Sequence, residues 1–219
     1  MASQRDRDVL RSFARRINPN DASAHNNLGV LYYNKGLYDE AVTAFQRALE
    51  LDPRMDVAQA NLEIAYLNSG RAAARVTELR DLLRQAPSDH ASRWELGRTL
   101  ALLGQHGQAV EEFSELLRYH PGDPGALIQL GLAAKAIGNV EASAQAFEAA
   151  LAADPESPLV HFYLGEVAYG RGLNEEALAH LERALELNPA NHEALYLMGL
   201  VLGALGRDDE ASVATERAV

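Results

Sequence analysis

An all-α solenoid of antiparallel helix pairs is the fold class the sequence predicts, and two series of residues carry that prediction. Prolines recur at Pro19, Pro53, Pro87, Pro121, Pro155 and Pro189, and glycines at Gly36, Gly70, Gly104, Gly138, Gly172 and Gly206, each 34 residues after the last. A fixed period of that length, kept without insertion or deletion, marks a stacked-repeat architecture.

The elements of one unit follow in order. From Ala22 to Lys35, Leu28, Leu31 and Tyr32 recur at three- and four-residue spacing, the pattern of a helix with one buried face. Gly36 ends it, because a left-handed residue closes a last turn at little cost when it is glycine. A second amphipathic run, 39–51, carries Ala41, Phe45, Ala48 and Leu49 on one stripe, and Asp52-Pro53 stops it. These two helices, A and B, are joined by too few residues to be anything but antiparallel neighbours. Such a pair cannot bury its apolar face alone, so successive pairs stack and the core runs along the array. The predicted units are 22–55, 56–89, 90–123, 124–157, 158–191 and 192–219, the last incomplete. Residues 1–21 precede them, with 5–18 read as a lone capping B helix whose apolar face is Val9, Phe13, Ala14 and Ile17. No linker or low-complexity tract interrupts the series.

Composition excludes several functions. There is no Cys among the 219 residues, which removes disulfides, thiolate zinc sites and cysteine nucleophiles. Basic and acidic residues number 20 and 31, a formal charge of −11 that repels phosphate backbones and anionic membranes. Nucleic acid is therefore not an expected partner, and a basic segment or a neutral groove ligand is. No apolar stretch approaches the roughly 18–20 residues of a membrane span, and Met1–Asp8 has no apolar signal-peptide core. The chain as it stands is expected in the cytoplasm. Lys35 and Lys135 are the only lysines, an arginine bias that points to a GC-rich, bacterial source. The seven histidines form no metal-ligand pair at i, i+4 spacing, acidic pairs such as Glu111-Glu112 fall on helix B, and no P-loop or dinucleotide fingerprint occurs. No catalytic site, metal or cofactor is predicted.

The period and its marked positions resemble the tetratricopeptide repeat family over essentially the whole chain. The first unit reads Leu28-Gly29, Tyr32, Ala41, Phe45, Ala48, Pro53, and the fifth Leu164-Gly165, Ala168, Ala177, Leu181, Ala184, Pro189. The second departs from the pattern. Glu63 stands where other units have Gly29, Gly97, Gly131, Gly165 and Gly199, and Arg75 where helix B usually has Ala. Opposite charges on the two sides of the closest helix approach predict an internal Glu63–Arg75 ion pair.

The resemblance implies a right-handed superhelix of thirteen helices with the A helices lining a concave groove. By its repeat positions the predicted peptide-binding groove comprises Asn27, Asn61, Trp94, Arg98, Gln129, Lys135, Tyr163, Glu166, Tyr169 and Tyr196. One end is rich in Asn, whose amide pairs with a peptide backbone. The other is aromatic and apolar, as binding hot spots are. Arg98 and Lys135 are placed to meet an acidic group. Two sub-functions of the family are tested by these positions. The carboxylate clamp of chaperone-binding members is missing, since Asn26 and Val30 stand at its first Lys and Asn and only Asn61 fits. The asparagine ladder of glycosyltransferase superhelices is matched at Asn27 and Asn61, with Gln129 as a substitute, and broken at Glu95, Tyr163 and Leu197. The resemblance implies a non-catalytic scaffold for a protein or peptide partner. Two alternatives remain: self-association through the groove or the uncapped sixth repeat, whose Leu202, Leu205 and Val213 need a cover, and a substrate-recruiting domain cut from a larger enzyme.

Overall fold

The protein is described from a computed structural model covering residues 4–14 and 16–218. Among the described residues there are thirteen α-helices and no strand. They fall into two compact units, 1–87 and 88–219, although the 34-residue period runs unbroken through Pro87.

The first unit holds α1 (Gln4–Ala14), α2 (Ala22–Asn34), α3 (Tyr38–Leu51), α4 (Asp56–Asn68) and α5 (Arg71–Gln85). The second holds α6 (His90–Leu102), α7 (His106–Tyr119), α8 (Pro124–Ala136), α9 (Val140–Ala153), α10 (Pro158–Gly170), α11 (Asn174–Leu187), α12 (His192–Ala204) and α13 (Asp208–Arg217). Even-numbered helices from α2 are the A helices and odd-numbered ones from α3 the B helices. All six period glycines have positive φ, 68° to 75°, as the predicted turn requires.

Each A helix except α4 begins at a side-chain cap. Asp21, Asp89, Asp123, Ser157 and Asn191 accept a hydrogen bond from a backbone N–H of the first turn, satisfying a donor the helix leaves orphaned. Repeat two has Met55 there, and no side chain takes that role. Inside every pair but the second, a glycine of the A helix sets the crossing. A Cβ on Gly29, Gly97 or Gly131 would lie 2.5–2.8 Å from the ring of Phe45, Phe113 or Phe147, and one on Gly165 2.8 Å from Leu181. Those four large side chains are fully buried, so the A helix backbone packs directly on them.

Three expectations are corrected. On α1, Leu10 is the buried residue, while Val9 and Phe13 are 61% and 47% exposed. Both precede by 34 residues the non-core positions Thr43 and Arg47, so the helix keeps B-helix phase with apolar residues on an outward face. In the sixth repeat Leu202 needs no cover, being buried in the core between α12 and α13, whereas Val213 is exposed. Glu63 and Arg75 are engaged away from each other. Arg75 Nη1 donates to Glu78 one turn along α5 at 3.0 Å, and Glu63, exposed, accepts from Gln59 at 3.3 Å. At an exposed position a local i, i+3 or i, i+4 partner costs less side-chain entropy to hold than one across the helix pair.

Candidate A-helix cleft

The A-helix face differs between the units. In the first, Asn and Tyr side chains are cross-linked from repeat to repeat, with Ile64 and Leu67 of α4 exposed: Asn61 Nδ2 donates to Asn26 Oδ1 at 3.1 Å, and Asn68 Nδ2 to Tyr33 Oη at 3.2 Å. Asn26 is buried, Asn61 half-buried and Asn27 exposed. Part of the amide capacity assigned to peptide backbone is thus spent between neighbouring helices, and the pair that forms is Asn26–Asn61, not a ladder through Asn27.

In the second unit α8, α10, α12 and α13 enclose a cleft of about 840 Å³. Its apolar lining is Leu132, Phe162, Leu197, Leu200 and Ala218, and Tyr163 and Tyr196 add aromatic surface. Lys135 and Glu166 form an ion pair across adjacent A helices, and the Lys135 ammonium lies 5.7 Å from the centre of the Tyr163 ring. Tyr163 stacks on Phe147 at 5.1 Å and 19°, so the half-buried ring is held from below. Burial, then the charges of Glu166 and Glu193, hold its phenol above the ordinary tyrosine range. Tyr196 is 57% exposed, while Phe162, at the equivalent position one repeat earlier, is 8% exposed.

Of the predicted site residues the cleft brings together Lys135, Tyr163, Glu166 and Tyr196. Trp94, Arg98, Gln129 and Tyr169 do not line it. Trp94 packs edge-on against Phe113 at 5.6 Å and lies over Gly125 of the next A helix, where a Cβ would come within 3.1 Å of the indole. Arg98 is exposed, and Gln129 and Tyr169 are half-buried. Lys135, paired with Glu166, is not the open cation the sequence suggested for an acidic ligand. His192, Glu193, Thr215 and Ala218 also line the cleft and were not among the predicted residues. Glu193 is the second residue of α12, a repeat position that the sequence did not assign to the groove. Thr215 lies on a B helix and Ala218 just after its end, and no sequence signal marks them.

The fold also joins two histidines 19 residues apart. His161 Nδ1 and His180 Nδ1 are 3.1 Å apart, and His161 Nε2 is 3.3 Å from the Pro155 carbonyl. The carbonyl can only accept, so neutral His161 carries its proton on Nε2 and accepts from His180 Nδ1–H. Burial and then His161 push the His180 pKa down, against the opposing charges of Glu176 and Glu148. Among the described residues no three His, Cys, Asp or Glu side chains converge as metal ligands, and no helix is long and apolar enough to cross a membrane.

Family models agree with the repeat geometry. A tetratricopeptide repeat model matches residues 22–55, another matches 58–124 and 128–186, and a TPR repeat model matches 169–206. The chain belongs to the tetratricopeptide repeat family. A search of curated proteins gives no significant match. Among solved structures the fold is similar to MamA from Desulfovibrio magneticus RS-1, with TM-score 0.65 and 21% identity over 73% of this chain and 90% of that one. It is similar to PilF of Pseudomonas aeruginosa, with TM-score 0.58 and 19% identity over 88% of each chain. It is also similar to YrrB, described as a TPR protein with an unusual peptide-binding site, with TM-score 0.55 and 22% identity over 85% of this chain and 97% of that one. At these identities the likeness is one of tetratricopeptide fold alone.

Proposed function

We propose that this chain is a non-catalytic protein-interaction scaffold that holds a peptide or helix of a protein partner against its A helices, chiefly in the cleft of repeats four to six. The observation that carries this reading is the state of Tyr196: a large aromatic side chain left open beside Leu197 and Leu200 in a cleft of about 840 Å³. Removing such surface from water stabilises a complex, and Tyr in a well-packed pocket is the residue type whose truncation commonly costs ~2 kcal/mol or more in binding. Partners that present phosphate arrays are disfavoured by the acidic surface. YrrB, described as having an unusual peptide-binding site, is a precedent for peptide binding on the same fold.

A displayed library of random peptides, panned on the chain, tests the reading. Selected binders should lose most of their affinity to a Tyr163→Ala, Tyr196→Ala variant that keeps its helical spectrum. Trp94→Ala and Arg98→Ala should matter less, because neither residue lines the cleft. Binders indifferent to both tyrosines, or mapping to the B helices, would remove the proposal. Self-association is a second reading supported by a separate observation, the exposure of Val9 and Phe13 on α1 and of Val213 on α13. Sedimentation across a concentration series distinguishes it.

A further inference from the structure

The cleft's chemistry specifies its occupant more narrowly than a peptide in general. We infer that it takes an amphipathic helix whose apolar face is flanked by lysine or arginine. This rests on the reading of the cleft as a binding site.

Backbone bookkeeping decides the conformation. An extended segment brings an unpaired N–H and C=O with nearly every residue, and burying those groups without partners is costly. The lining residues of the cleft include no Asn or Gln, and of the seven with hydrogen-bonding side chains Lys135 and Glu166 pair with each other and Thr215 donates to the Ala211 carbonyl of its own helix. A helix arrives with its backbone groups already paired and offers only side chains, at i, i+3, i+4 and i+7. Tyr196, Leu197 and Leu200 of α12 give an apolar and aromatic lining at i, i+1 and i+4, joined by Leu132 of α8 and Tyr163 of α10.

Charge decides the flanks. Lys135 neutralises Glu166, but Glu193 makes no ion pair among the described residues. Beside the larger effect of burial, the charges of Glu166 and Glu193 both act to raise the pKa of the Tyr163 phenol. The surroundings are acidic as well: residues 88–219 contain 20 Asp and Glu against 8 Lys and Arg, whereas 1–87 contain 11 against 12. The unit that holds the cleft therefore carries a formal charge of −12, and the first unit +1, within the chain's −11. Such a surface steers and retains a cationic helix and rejects an anionic one. The long stems of lysine and arginine cover apolar rim while the head reaches Glu193.

Three designed fluorescent probes test this: a helix with leucines at i, i+3, i+4 and i+7 and flanking lysines, the same helix with glutamates for lysines, and the lysine peptide with a central proline. Anisotropy titrations should show the lysine helix binding at least roughly tenfold tighter than either other probe, with affinity falling as salt rises. Glu193→Lys should cancel or invert the preference between lysine and glutamate helices while the melting curve stays unchanged. Tyr196→Ala should weaken the lysine helix without changing that preference. Equal binding of the proline peptide would mean an extended occupant, and charge indifference a purely apolar one. Either overturns this inference and leaves the cleft reading standing, provided binding still depends on Tyr196. If none of the probes binds in a Tyr196-dependent way, the cleft reading itself fails. If the chain forms oligomers that Glu193→Lys dissolves, the occupant is a second copy and the inference is wrong.

Discussion

Repeat two and repeat four have the same length and the same glycine turn, yet they pack differently. In repeat four Gly131 lets α8 rest on Phe147, and the buried Ser143 hydroxyl donates to the Gly131 carbonyl at 2.9 Å. In repeat two Glu63 and Arg75 occupy the corresponding positions, and both point to partners on their own helices. Repeat two also lacks the side-chain cap that starts every other A helix. The period specifies turns and helix lengths, while the quality of each helix crossing depends on a few small residues that can be lost without disturbing the period.

The largest effect that would expose this difference is at the crossing. Gly131→Ala places a methyl 2.5 Å from the Phe147 ring and should cost ~1–3 kcal/mol of unfolding free energy in denaturant melts. Glu63→Ala, its counterpart, should be within ~0.5 kcal/mol of wild type, since an exposed residue is truncated at a crossing that is already open. Similar losses for both would mean repeat two packs as tightly as repeat four.

The turns should behave alike in both regions. Gly70 and Gly104 have φ of 74° and 72° with nothing within 4 Å of an added Cβ. Gly70→Val and Gly104→Val should therefore each lose ~1–2 kcal/mol through backbone strain alone. A harmless Gly104→Val would refute the strain argument, and a large gap between the two would show that packing contributes at these turns.

Repairing the missing cap is a test with the opposite sign. Met55 has φ −78° and ψ 87°, close to the values at Asp89, φ −72° and ψ 96°. Met55→Asp should stabilise by ~1 kcal/mol, the usual worth of an N-cap, less whatever packing the methionine side chain supplied. Asp89→Met should lose a similar amount, and no gain from the first with no loss from the second would leave α4's irregularity unexplained by capping.

The smallest expected effect is confined to repeat five. The His180 pKa is lowered from 6.5, so the unfolded chain binds a proton more readily than the folded one. The stability this group contributes is present above pH 6.5 and is lost as pH falls below it through the folded value. His180 faces Glu176 and Glu148 as well as His161, and the carboxylates soften the loss. Thermal melts between pH 7.5 and pH 5 should show a steeper decline for wild type than for His180→Asn; parallel curves would remove the histidine contact from the account.

The sequence by itself determined the helix pairs, their period, the six left-handed glycines and the family, because each is written in local terms. A positive φ, a proline stop or a buried stripe at i, i+4 needs no knowledge of the next repeat. What only the tertiary structure decided lies between residues on different helices, 19 to 35 positions apart. Asn61 meets Asn26, Lys135 meets Glu166, and His161 meets His180. Phe162 and Tyr196 hold the same position in consecutive repeats, yet one is core and the other open cleft. Phe162 is covered by the helix pair that follows it, and among the described residues no further pair lies beside Tyr196. Exposure at a groove position is a property of its neighbours, and no reading of a single repeat contains it.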